Sequence, residues 1–210
     1  MQHLIHTEFW QWALVAIAAA SLGACGGGGE SAGTVGTSVP MDSVGLLAAP
    51  TPSPIALVSN LNAASTCGIP DFQNLIMQRV NALRTAGATC SGRPAPAVPA
   101  VQWSSPLFSA AWVHSEDMVS NNFFGHTGSD GKDASQRVSD QGYQWSFVAE
   151  NIAAGQNDVQ SVVDKWMEST AGHCENIMNV TAQDIGVACV ISPNDPNGYG
   201  TYWTMVLASH

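Results

Sequence analysis

The stretch Trp166-Met167-Glu168-Ser169-Thr170-Ala171-Gly172-His173-Cys174-Glu175-Asn176-Ile177-Met178 joins a helical pattern to a break. Val159, Val162, Val163, Trp166 and Met167 recur at spacings of three and four, which predicts an amphipathic helix opened by Asn157-Asp158 as a cap. Ser169 to Gly172 interrupts that pattern, and a second apolar pulse follows at Ile177-Met178. His173 falls at the break, where a side chain can face a cleft rather than a packed helix. Glu168 lies five residues before it and Cys174 directly after it.

Working outward, the tail changes period. Ile185, Val187, Cys189 and Ile191 alternate with Gly186, Ala188 and Val190, the pattern of a strand buried on both faces. The turn cluster Pro193 to Gly200 and the segment Tyr199 to Ala208 predict the return strand of an antiparallel hairpin. Upstream, Pro70-Asp71 starts a helix carrying Phe72, Leu75, Ile76, Val80 and Leu83 and ending at Gly87. Residues 91–100 read as a loop and Val98 to Trp103 as a short strand. Ser105-Pro106 opens a helix to about Asn121, with Leu107, Ala110, Ala111, His114 and Met118 on one face. A short helix spans Asp133 to Gln141, and Phe147 to Ala154 is extended. Helices followed by a hairpin predict an α+β fold.

The 210 residues suit one domain with appendages. Six Lys plus Arg against sixteen Asp plus Glu give a net charge of −10, which excludes a phosphate-backbone binder and fits cations better. Residues 1–25 read as an export signal: Trp12 to Ala24 is an uncharged run of 13 residues, short of the ~20 that span a bilayer. It ends in Leu22-Gly23-Ala24-Cys25, which resembles the lipobox of bacterial lipoproteins and implies acylation of Cys25. No Lys or Arg precedes it. Residues 26–66, rich in Gly, Ser, Thr, Ala, Val and Pro without period, read as a tether with a reach of ~35 Å. The folded head is expected over 67–210, a monomer held outside the cytoplasm at the cell envelope.

With Cys25 set aside for lipid, Cys67, Cys90, Cys174 and Cys189 remain, and three pairings are open. The local pairs Cys67–Cys90 and Cys174–Cys189 are the expected ones. His114 lies on the apolar stripe and reads as a hydrogen-bonded core histidine. His126 sits in a glycine-rich turn behind two phenylalanines. Glu150 is an acid in an apolar segment and therefore needs a partner, Arg137 or backbone amides. His126, Glu150 and His173 are residue types that share a proton or hold a divalent metal. No HExxH, GxSxG or phosphate-binding glycine loop occurs.

The ordered series Asn81-Ala82-Leu83-Arg84, Ala111 to Met118, Phe123-Phe124-Gly125-His126-Thr127-Gly128, Gln136-Arg137-Val138, Ala149-Glu150-Asn151-Ile152, Trp166 to Ser169, Gly172-His173-Cys174-Glu175-Asn176-Ile177 and Tyr202-Trp203-Thr204 resembles the bacterial branch of the CAP superfamily. These are the cysteine-rich secretory, antigen 5 and pathogenesis-related 1 proteins, or SCP domains. The resemblance covers about residues 68–208. It implies an α-β-α sandwich with a central antiparallel sheet and a cleft with two histidines, His126 and His173, and Glu150. A further glutamate position of the family falls on Ser169, with Glu168 the neighbouring acid, one residue or ~100° away on a helix. The family implies no single reaction. The leading expectation is a tethered, non-enzymatic binding module whose cleft takes a divalent metal such as zinc. A metal-dependent hydrolase with Glu150 as base, and a lipid- or sterol-binding protein with an apolar groove between helices, are the alternatives.

Overall fold

The computed structural model describes residues 62–210; the export signal with Cys25 and most of the tether lie outside the described residues. The elements in chain order are α1 (Phe72–Ala86), β1 (Ala88–Cys90), β2 (Arg93–Ala95), β3 (Gln102–Trp103), α2 (Ser105–Ser120) and α3 (Ala134–Asp140). They continue with β4 (Phe147–Ala154), α4 (Val159–Met167), α5 (His173–Ile177), β5 (Asp184–Ile191) and β6 (Thr201–Ser209).

The main sheet has the order β3-β5-β6-β4. β5 and β6 form the expected antiparallel hairpin, β4 pairs antiparallel with β6, and the two-residue β3 adds a parallel edge. Side chains alternate across a strand, so β5 and β6 serve two cores. Ile185, Val187, Trp203, Met205 and Leu207 pack with α1, α4 and α5, while Ala188, Val206 and Ala208 pack with α2 and α3. The result is a three-layer α-β-α sandwich.

The α2 layer sits unusually close to the sheet. A Cβ on Gly186 would lie 2.0 Å from the backbone nitrogen of Phe108 and 2.2 Å from the carbonyl carbon of Leu107. Gly186 is needed for this approach rather than for a special backbone angle. The small side chains Ala110, Ala111, Ala188 and Ala208 lie in the same core.

Three sequence expectations change. Residues 88–95, partly assigned to a loop, form the β1–β2 ribbon. The folded unit already includes residues 62–66: Ser65 is buried and Thr66 bridges Cys189 in parallel. The disulfides are Cys67–Cys189 and Cys90–Cys174, not the local pairs. The Thr66 bridge lays Cys67 beside β5, and β1 brings Cys90 to the start of α5. Spanning 122 and 84 residues, these links close far longer loops than the local pairing would. In the chain-entropy model a loop of ~100 residues contributes ~4.7 kcal/mol.

Arg84 is fully buried, and its partners are carbonyls rather than carboxylates. Its Nε donates to the Pro99 carbonyl at 2.8 Å, Nη1 to those of Ile177 at 2.6 Å and Asn179 at 3.0 Å, and Nη2 to that of Ala182 at 3.0 Å. One guanidinium thereby pins the α5–β5 connection to α1.

Gly186→Ala is expected to lower unfolding free energy by at least ~1–3 kcal/mol, the range for overpacking a dense interior. A denaturant midpoint equal to wild type would show that the α2–β5 approach is not so close.

Candidate functional site

Pleat alternation along β4 generates the site. Glu150 points to the α2–α3 side and Asn151 to the α4–α5 side, so one edge strand reaches loops from both outer layers. Glu150 is buried, with its side chain 4% exposed. Its Oε2 accepts from Arg137 Nη2 at 2.7 Å, and its Oε1 accepts from His126 Nδ1 at 2.9 Å. Arg137 also donates to the carbonyls of Lys132 at 2.7 Å and His126 at 3.0 Å, fixing the 126–132 loop. The capping box of Asp133 and Gln136 starts the helix that carries Arg137. Of the two partners expected for Glu150, Arg137 is the one present.

His114 is fully buried, and its Nε2 donates to the Gly125 carbonyl at 2.8 Å, directly behind His126. Burial lowers its pKa, outweighing the raising pull of Glu150. It is the hydrogen-bonded core histidine expected from the apolar stripe. For Glu150, burial raises the carboxyl pKa. The His126 hydrogen bond, the charges of His114 and Arg137 and the Arg137 hydrogen bond outweigh it, so the net shift is downward.

His173 opens α5, and Cys174 beside it is bonded to Cys90. Asn151 Nδ2 donates to the His173 carbonyl at 3.0 Å, and Asn176 Nδ2 donates to Asn151 Oδ1 at 2.8 Å. The repeated tripeptide Glu150-Asn151-Ile152 and Glu175-Asn176-Ile177 thus places two asparagines that bind each other across β4 and α5. Burial is the main cause lowering the His173 pKa, and the charge of nearby His126 lowers it further against the pull of Glu175.

His173 also lines a cavity of about 460 Å³, shared with Phe124, Gln156, Lys165, Trp166 and Tyr199 among others. Glu168 and Ser169 both line it. The expectation that one residue's step turns Glu168 off this face assumed a continuing helix. α4 ends at Met167; Glu168 is its C-cap, still helical in backbone and bonded to the Asp164 carbonyl, and the chain leaves the helix only after it, so both side chains border the cavity.

Both Glu150 oxygens are engaged, and among the described residues no group of three or more His, Cys, Asp or Glu is placed to hold one ion. The charge of His126 acts on His173, so the two imidazoles lie near each other at the site. Glu150 sits behind His126, takes its Nδ1–H and leaves Nε2 directed elsewhere, the usual role of a carboxylate behind a ligating histidine. Sequence reasoning missed Asn151, Asn176, Gln156, Phe124 and Tyr199. A polar asparagine inside an apolar strand was the available signal for Asn151.

The folded-state pKa of Glu150 lies below its unfolded value of ~4.3. Its stabilising contribution is complete above that value and is lost as pH falls through the folded pKa. Arg137→Met is expected to remove ~3–5 kcal/mol at pH 7 and to move the acid loss of stability to higher pH. Unfolding curves from pH 7 to 3 check this, and a variant with unchanged acid behaviour would contradict the ion pair.

Residues 77–207 match the CAP family, the cysteine-rich secretory protein family. The chain is 33% identical over 104 residues to the Bacillus subtilis (strain 168) protein YkwD, covering 50% of this chain and 37% of that protein. It therefore spans little more than a third of that relative's length. Among solved structures, it superposes on an outer surface protein from Borrelia burgdorferi with a TM-score of 0.54 at 16% identity, over 66% of this chain and 92% of that one. It superposes on an extracellular SCP-domain protein from Bacillus anthracis str. Ames with a TM-score of 0.52 at 24% identity, over 68% and 44% of the two chains. Both likenesses support the sandwich already described. With its family match, its three-layer fold and its two disulfides, this chain belongs to the CAP family of cysteine-rich secretory proteins.

Proposed function

We propose that the protein is an extracytoplasmic, non-enzymatic binding module whose ligand cleft is edged by His126 and His173. The single observation that carries this reading is the commitment of Glu150. A general base needs a lone pair open to the substrate and a pKa near the working pH. Glu150 has both oxygens bonded, is buried, and is shifted below the ordinary carboxylate range. That argues against the hydrolase alternative and for a positioning role. The two imidazoles are the groups that would hold a divalent metal such as zinc, with Glu150 orienting His126. The metal would add a Lewis-acidic contact for a ligand donor. Two disulfides in the described unit support an oxidising compartment outside the cytoplasm. Membrane attachment through Cys25 remains part of the proposal.

Zinc titrated into oxidised protein is expected to bind at one site, to be lost in His126→Ala and in His173→Ala, and to weaken by roughly 10–100-fold in Glu150→Gln. Binding indifferent to both histidines would refute the metal reading. Peptide cleavage by wild type that disappears in Glu150→Gln would move the function to the hydrolase class.

A second reading rests on a separate feature. A groove of about 450 Å³ lies between α1 and α4, lined by Ile69, Leu75 and Val159 together with Arg79 and Asp158. Leu75, expected in the core, is 39% exposed there. For a lipid or sterol carrier, a fluorescent fatty acid should bind wild type and be lost in Leu75→Asp; no binding to wild type would remove this reading.

A further inference from the structure

We infer that the cavity beside His173 is a subsite for a neutral oligosaccharide, one sugar ring stacking on Phe124 and Tyr199 while its hydroxyls bond the opposite wall. The inference deepens the proposed binding function and rests on that reading of the cleft.

Three observations select this ligand class. The first is a braced aromatic platform. Phe124 and Tyr199 are 46% and 45% exposed, yet neither is loose. Their rings lie 6.0 Å apart, and Tyr202 packs beneath both, at 6.4 Å from Phe124 and edge-on at 5.9 Å from Tyr199. Asp195 holds the assembly: its Oδ2 accepts from the backbone N–H of Tyr199 at 2.7 Å and Gly200 at 3.0 Å, and its Oδ1 accepts from the Tyr202 hydroxyl at 3.0 Å. Rigid, exposed aromatic faces offer a negative quadrupole to the polarised C–H edges of a pyranose ring.

The second observation is a wall of unused polar groups. Among the described residues, Gln156 Oε1 is buried in the cavity wall without a hydrogen-bond partner. A buried acceptor left unpaired is costly, so it calls for a donor O–H or N–H from a ligand or water. Lys165, Glu168 and Thr170 line the same cavity and add an ammonium, a carboxylate and a hydroxyl to its wall. The wall thus offers both donors and acceptors, as a polyhydroxylated ligand requires.

The third observation is charge. Lys165 and Glu168 offset each other in the lining. Lys165 is the one Lys or Arg in the lining, too little to select a phosphate or a polyanion. An extended peptide fits less well. The outward carbonyls of Glu150 and Ile152 on the β4 edge are already taken, by Asn176 Nδ2 at 3.3 Å and Trp166 Nε1 at 3.1 Å, so strand addition has no continuous ladder to join. The volume of about 460 Å³ lies within the ~300–1,000 Å³ range of small-molecule sites.

The test uses oxidised full-length protein, with cellotriose and N-acetylchitotriose as probes and calorimetry as readout. At least one sugar should bind. Phe124→Ala and Tyr199→Ala should each weaken it by about two- to tenfold, and Gln156→Leu should weaken it independently. All three variants should keep zinc affinity, since they leave His126 and His173 in place, and the two aromatic variants should stay folded with a melting temperature lowered only by the lost ring contacts. Sugar binding insensitive to Phe124 and Tyr199, or no binding of either sugar by protein that still binds zinc, would overturn the ligand class while leaving the cleft reading intact. Loss of both zinc and sugar binding in wild type would overturn both.

Discussion

The His173 side of the site depends on where the segment from His173 to Ala182 is held, and one buried guanidinium sets its far end. Four carbonyl dipoles share the field of Arg84 in place of a countercharge. Three of them belong to the end of α5 and its connection to β5: Ile177, Asn179 and Ala182. The planar fork suits this task because its donors point in fixed, divergent directions, whereas an ammonium is a compact point charge on a flexible stem. Removing Arg84 would orphan several buried acceptors at once, each carrying a desolvation cost of ~1–3 kcal/mol. The disulfide Cys90–Cys174 fixes the opposite end of α5. His173 is thus clamped at both ends of a five-residue helix that could not hold its own shape.

A second organising choice is the placement of chemistry on an edge strand. β4 lies at the end of the sheet order, so its two faces and its free edge are all accessible to loops. The loop after α2 brings His126 to one face, and α5 brings His173 across the other. An interior strand such as β5, buried on both faces, has no room for such a convergence. Glu150 joins the two regimes: its carboxylate organises His126 and Arg137, and its carbonyl accepts from Asn176.

Periodic features were legible in the sequence because they record burial. The bounds of β4, the Asp158 cap of α4 and the β5–β6 hairpin follow from alternation and capping, and the structure agrees with each. The family series likewise grouped Glu150 with His126, and the cost of an unpaired buried acid called for a partner, Arg137 or backbone amides, of which the structure shows Arg137. What was not legible depended on distance in space. Cysteine spacing favoured short loops, but Thr66 pairs with Cys189, a non-local event that no local pattern announces. Leu75 matched the helical stripe yet borders an open groove, because the neighbouring helix does not cover the whole face. The Phe124–Tyr199–Tyr202 cluster unites two segments far apart in the chain, and nothing in either segment names the other.

The Cys67–Cys189 link has a mechanical consequence. The described unit begins at residue 62, and within a few residues the chain is joined covalently to β5. Tension applied through the amino-terminal side therefore bypasses α1 and passes directly into the centre of the sheet, where β5 is flanked by β6 and β3. Extraction of that strand requires many hydrogen bonds to fail together rather than one after another. A head pulled from this side would behave as a shear-loaded block. With the link reduced, the same pull would instead peel the molecule open from its first helix.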